Sequence, residues 1–112
     1  MAEVATSVKD VFERELPARL AAKPDVVAKI NAVYQFVISG PEGGSWCVDC
    51  TAPSGRITAG AAPGARCTVA ATDNDFLSIV NGKLNPQMAF MSGKLRIQGD
   101  MGLAMKLQLI LS

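Results

Sequence analysis

The stretch GKLNPQMAFMSGKLRIQGDMGLAMKLQ, residues 82–108, decides how this chain folds. Its punctuation divides it into three short elements. Asn85-Pro86 sets an N-cap side chain before a proline at the first helical position, opening a helix over 86–91 that Gly93 ends. Residues 94–98 then alternate Leu95 and Ile97 against Arg96 and Gln98, the period of a half-buried strand. Gly99-Asp100 starts a last helix over 101–111. In a chain this short, such elements form one layer of helix on a sheet.

The last helix carries too much apolar surface for that layer. At about 100° per residue, Met101, Leu103, Ala104, Met105, Leu107, Leu109, Ile110 and Leu111 surround almost its whole circumference. Gly102, Lys106 and Gln108 break the ring in different directions. A helix apolar on all sides should be covered on all sides, yet the last element of a small domain is hardly central. The helix before it, with Met88, Ala89, Phe90 and Met91, is apolar on several sides as well. Apart from Met1, every methionine (Met88, Met91, Met101, Met105) lies in this end of the chain. Unbranched thioethers are over-used where a surface must accept varied apolar partners. This end is therefore expected to line an apolar cavity or tunnel.

Upstream, residues 7–20 read as an amphipathic helix, with Val8, Val11, Phe12 and Leu16 at helical spacing and Ser7 capping. Pro17 falls inside the pattern, so the helix kinks or restarts there. Pro24 opens a second stretch over 24–30. From Ala32 the period becomes two, with Ala32, Tyr34, Phe36 and Ile38 on one face. The Gly-rich turn 40–44 returns the chain as a strand over 45–51. Two further strands, 56–59 and 66–72, complete an expected antiparallel meander. Asp73 is expected to cap a helix bearing Phe76, Leu77, Ile79 and Val80 that Asn81-Gly82 ends.

Composition limits what the chain does. It has 112 residues, 49% of them hydrophobic and 19% charged, with 11 lysines and arginines against 10 acids. That is one globular domain, 1–112, rather than a disordered segment. A formal net charge of +1 argues against nucleic acid as a partner. Histidine is absent, and with it the commonest general base and zinc ligand. The N-terminus shows no secretory signal, and no apolar run approaches the roughly 20 residues of a membrane span. Three cysteines, an odd number, suit a reducing compartment.

No catalytic or metal constellation emerges. Cys47 and Cys50 form a CxxC, but within a strand, residues three apart face opposite sides and share neither an ion nor a disulfide. Asp73 and Asp75 are explained by a helix N-terminus. Gly40, Gly43 and Gly44 lead into a strand, whereas a phosphate cradle leads into a helix. No nucleophile–base pair is recognisable, and the expectation is a protein that is not an enzyme, with no cofactor and no metal.

Residues 82–108 closely resemble the signature region of the sterol carrier protein type 2 domain family. VFERELPARL, 11–20, is similar to that family's first helix. SWCVDC, 45–50, looks like its second strand, and CTVAATDNDFLSIVNGK, 67–83, like its fourth strand and third helix. The resemblance spans 8–111. It implies an α+β fold, a five-stranded mainly antiparallel sheet covered on one side by about five helices, with an apolar tunnel between. It also implies intracellular binding and transfer of sterols, fatty acids, fatty acyl-CoA and phospholipids in a promiscuous tunnel closed by the C-terminal helix. Lining residues carried over are Phe76, Leu77 and Val80, then Phe90 and Met91, then Met101, Leu103, Met105 and Leu109. Gln108 would orient a headgroup, and Trp46 is a lesser candidate. The expected partners are a lipid or fatty acyl-CoA and, transiently, a membrane surface, for a protein that is mostly monomer. Many members end in a Ser-Lys-Leu type of peroxisomal address. This chain ends Leu111-Ser112, which leaves peroxisome or cytoplasm as the expected location. The alternative function is a non-catalytic interaction or dimerisation module using the apolar C-terminal helices. A third is an accessory domain presenting acyl-CoA, with Lys83, Lys94, Arg96 and Lys106 near its phosphates.

Overall fold

The structure, a computed structural model, describes residues 7–41, 43–52, 55–61 and 64–111, excluding the side chains of 107–109 and 111. Helix starts here with Ser7, whose hydroxyl accepts the Asp10 N–H at 3.0 Å. The α turn α1 (Val8–Asp10) runs into a π-helical turn (Val11–Glu15) and then α2 (Leu16–Ala22). Pro17 supplies the reason for the wider turn. It has no N–H, so an upstream carbonyl loses its α-helical donor, and the helix widens there instead of breaking. Helix α3 (Pro24–Ile30) ends on Asn31, which adopts the left-handed conformation at φ 44°.

Strands β1 (Val33–Ser39), β2 (Gly44–Asp49), β3 (Arg56–Ala59), β4 (Cys67–Thr72) and β5 (Leu95–Gly99) form one sheet in the order β3-β2-β1-β4-β5. Helices α4 (Asp73–Val80), α5 (Pro86–Met91) and α6 (Met101–Leu111) complete the chain. Three of the pairings are antiparallel, but β4 lies parallel to β1, with Phe36 opposite Val69. The antiparallel meander expected through residues 66–72 therefore stops at β3. Periodicity fixes which face a strand buries, not which neighbour it takes. As the most apolar strand, β1 lies central and needs hydrogen-bonding partners on both edges, so β4 crosses over to fill the second.

One sheet face is buried under the helices. Tyr34, Phe36 and Ile38 of β1, Val48 of β2 and Cys67, Val69 and Ala71 of β4 all point into it. Three rings join the layers. Phe12 stacks on Phe76 at 5.3 Å and meets Phe36 edge-on at 5.4 Å. Helix ends follow simple rules. Thr72, not Asp73, is the N-cap of α4, its hydroxyl accepting the Asp75 N–H. The sequence Thr-Asp-x-Asp offers two cap candidates, and Asp73 instead becomes the first helical residue, accepting the Asn74 N–H and packing against Gly40. Asn85 caps α5 by accepting the N–H groups of Gln87 and Met88. Helices α4 and α5 end alike, on left-handed Gly82 and Gly93, with Lys83 donating to the Ser78 carbonyl and Lys94 to that of Ala89.

Candidate functional site

The sheet's inner face is fully covered at β1, whereas on edge strand β5 Leu95 is buried but Ile97 is not. Ile97 sits opposite fully buried Val69, yet is only half-buried, as are Leu77 of α4 and Leu84 beyond it. Helices α5 and α6 both pack against this strand. Gly99 makes the turn between β5 and α6. It has φ 104°, and a Cβ there would lie 2.4 Å from the Arg66 carbonyl oxygen, so only glycine fits. Asp100 then caps α6, accepting the N–H groups of Gly102 and Leu103, and pairs with Arg66 at 3.4 Å.

Helix α6 is tied down from below. The buried hydroxyl of Tyr34 donates to the Leu103 carbonyl at 2.6 Å, across the layer interface. Burial raises the Tyr34 pKa well above the usual phenol range, so the hydroxyl stays a donor. Leu103, Ala104 and Ile110 face the core. The opposite situation holds for the methionines. Met88 is 66% exposed, Met91 79%, Met101 47% and Met105 73%, and Phe90 is 40% exposed. These make up five of the six large apolar side chains exposed among the described residues, the other being Val37 on the outer sheet face. Met101 and Met105, one turn apart, share a flank of α6, as Met88 and Met91 share one on α5.

The sequence candidates thus fall into two groups. Phe76, Val80 and Leu103 lie in the core and Leu77 at its margin. Phe90, Met91, Met101 and Met105 lie on the surface of α5 and α6. The side chains of Gln108 and Leu109 lie outside the described residues. Trp46 is half-buried and stacks on Phe12 at 4.9 Å. It also floors an open groove of about 490 Å³ lined by Lys9, Glu13, Gly43 and Ala59. Sequence reading missed this groove. Its walls come from the first helix and the β2–β3 pair, and only the register that sets Trp46 against Ala59 brings them together.

The thiols sit apart from both features. Cys47 lies half-exposed on the outer sheet face opposite Gln35, whereas Cys50 and Cys67 are buried. All three are free. Burial pushes the Cys50 and Cys67 thiols up to about 11. Asp49 is held below the usual carboxylate range by the hydroxyl and backbone N–H of Thr51. Among the described residues, no group of three or more potential ligands is placed to hold a metal, and no helix is long and apolar enough to cross a membrane.

The exposed large apolar side chains of this α+β fold thus gather on α5 and α6, the two helices that pack on edge strand β5. Residues 12–112 match the model of the SCP-2 sterol transfer family, and the chain belongs to that family. The solution structure of the sterol carrier protein domain 2 of Helicoverpa armigera superposes with a TM-score of 0.72 at 32% identity, covering 94% of this chain and 89% of that one. The palmitated SCP2L2 of Aedes aegypti gives a TM-score of 0.79 at 28% identity over 95% of both chains. Hydroxysteroid dehydrogenase-like protein 2 of Xenopus tropicalis is 44% identical over 88 residues, 78% of this chain but 21% of the relative. The chain thus spans about a fifth of the length of the curated relatives with that name that it matches. Family membership supports lipid binding and transfer as the general activity.

Proposed function

We propose that this domain carries single lipid molecules, taking their acyl chains or sterol rings into an apolar tunnel between sheet and helices that α6 closes. The observation that carries the reading is the incomplete cover over β5. Ile97 of that strand is half-buried, as are Leu77 and Leu84 on and beyond α4, and exposed methionines stand on both helices that pack on β5. Phe76, Val80 and Leu103 would form the floor, with Phe90, Met91, Met101, Met105 and Leu109 at the walls and mouth and Gln108 beside a headgroup. The palmitated Aedes aegypti relative favours fatty acids among the ligands. Sterols, fatty acyl-CoA and phospholipids fit the same chemistry, and an intracellular role, in peroxisome or cytoplasm, goes with it.

The work done is partition, without covalent chemistry. Each methylene removed from water contributes about 0.8 kcal/mol, so a dozen give roughly 10 kcal/mol before association entropy is subtracted. Such a site reaches micromolar affinity with few directional contacts and accepts many chains. Titration with a fluorescent fatty acid tests this. Micromolar, saturable uptake is expected, and Met101→Lys with Met105→Lys should lower it at least tenfold without loss of folding. A well-folded protein that takes up no fatty acid and no sterol would refute the reading.

The exposure of Met88, Met91 and Met105 favours a second reading, in which the same helices dock a partner protein or a second copy. Sizing separates the two. A dimer that persists and excludes lipid supports the second, and a monomer that loads lipid supports the first.

A further inference from the structure

The groove floored by Trp46 has no part in the carrier reading. It opens beside β2 and β3, at the sheet edge opposite β5, between Lys9 and Glu13 on one wall and Gly43 and Ala59 on the other. Phe12 stacks on one face of the indole with the two planes 8° apart. The ring is thereby held in place, and its accessible surface is left to the groove. Phe12 and Glu13 both come from the π-helical turn over 11–15. That turn supplies the support beneath the floor and one charge of the wall.

Lys9 and Glu13 decide what the groove can hold. Both are exposed, and four residues of helix separate them, about 5–6 Å between Cβ atoms. Asp10 and Arg14, at the same spacing on the same helix, form an ion pair at 2.8 Å. Among the described residues Lys9 and Glu13 form none. A lysine placed before a glutamate is the poorer order for such a pair. A cation and an anion left unjoined one turn apart complement a ligand that carries both charges. The side chains of Trp46 and Ala59 add no hydrogen-bond acceptor, so a primary ammonium would lose its hydration there for little return. A methylated ammonium, its charge spread over methyl groups, instead packs directly on an indole.

We propose that this groove binds a zwitterion of the phosphocholine type, its trimethylammonium group on Trp46 beside Glu13 and its phosphate on Lys9. A free zwitterion and a lipid headgroup share that chemistry. The proposal does not rest on the carrier reading.

Trp46 is the chain's only tryptophan, so its emission reports the site directly. Titration of the full chain with phosphocholine should change that emission saturably. Phosphoethanolamine, which lacks the methyl groups, should bind about tenfold more weakly. Glu13→Gln and Lys9→Gln, at exposed positions that spare the fold, should each weaken phosphocholine binding about fivefold. Asp25→Asn with Lys29→Gln, on α3, should leave it unchanged. Dihexanoylphosphatidylcholine below its micelle concentration separates the sources. Tighter binding that still depends on Glu13 marks a lipid headgroup, and binding equal to that of phosphocholine marks the free zwitterion. No saturable change, equal binding of phosphoethanolamine, or binding indifferent to both Lys9 and Glu13 would each overturn the proposal. Uptake of fluorescent fatty acid should persist in Glu13→Gln, and its failure in the wild-type protein with phosphocholine binding intact would sink the carrier reading alone.

Discussion

Cys50 and Cys67 show how the position of one side chain sets its chemistry. Each is small, apolar and buried beside β1, Cys50 donating its N–H to the Ala32 carbonyl and Cys67 opposite Tyr34. A buried thiolate would lack solvation, so the folded protein holds both thiols neutral, with pKa values raised from 9.0 to about 11. Raised folded values stabilise the fold fully below the unfolded pKa, and that contribution is lost as the pH climbs through the folded one. The unfolding free energy, and with it the urea midpoint, should therefore fall between about pH 9 and pH 11, by at most about 2.7 kcal/mol per thiol. Cys50→Ala with Cys67→Ala should flatten that fall, and an unchanged slope would contradict the burial argument. The same comparison explains the CxxC. Alternation separates half-exposed Cys47 from buried Cys50, which could be read from the sequence because strand parity is a local property.

Among elements, α6 is the one whose stability is divided. Its first turn is fixed by the Asp100 cap and by the Tyr34 hydroxyl on the Leu103 carbonyl. Beyond that turn, Met105 and Lys106 face outward while Ile110 returns to the core. Tyr34→Phe removes the tether and nothing else of its size, costing about 1 kcal/mol. The loss should be local. Amide exchange should quicken in α6 more than in β1 or β4, and release of a bound fatty acid should speed up with it. Uniform acceleration across the sheet would show that the hydroxyl supports the whole fold and does not restrain the helix. The boundaries of α5 and α6 were legible in advance because Asn85-Pro86, Gly93 and Gly99-Asp100 are local signals whose bonds close within a few residues. The parallel β1–β4 pairing was not legible, since it joins residues more than thirty positions apart. Nor was the split of the candidate lining, with Phe76 and Leu103 inside and Met91 and Met105 outside. Periodicity shows that a helix is apolar all round, but only the packing of neighbours decides which sides they cover.

For the molecule as a whole, what separates a tunnel from a surface patch is how affinity grows with the length of the guest. A chain enclosed on all sides transfers each methylene completely from water, about 0.8 kcal/mol or roughly fourfold in affinity per carbon. A chain lying on exposed methionines keeps part of its surface wet and shows a shallower slope. Ligand binding stabilises the fold by mass action, about 2.7 kcal/mol at a hundredfold excess over Kd. For a chain of 112 residues that is a rise in Tm on the order of 10 °C. A series of fatty acids from eight to eighteen carbons, followed by thermal melting, should therefore climb steeply and then level off. The levelling length would give the depth of the tunnel proposed under α6, because further methylenes would protrude past its mouth. Tyr34→Phe should leave the slope intact while speeding release, since it frees α6 from its tether without changing the side chains proposed to line the space. A shift independent of chain length, or none at all, would mean that the uncovered stretch of β5 does not continue inward. The exposed methionines would then serve only as a contact surface.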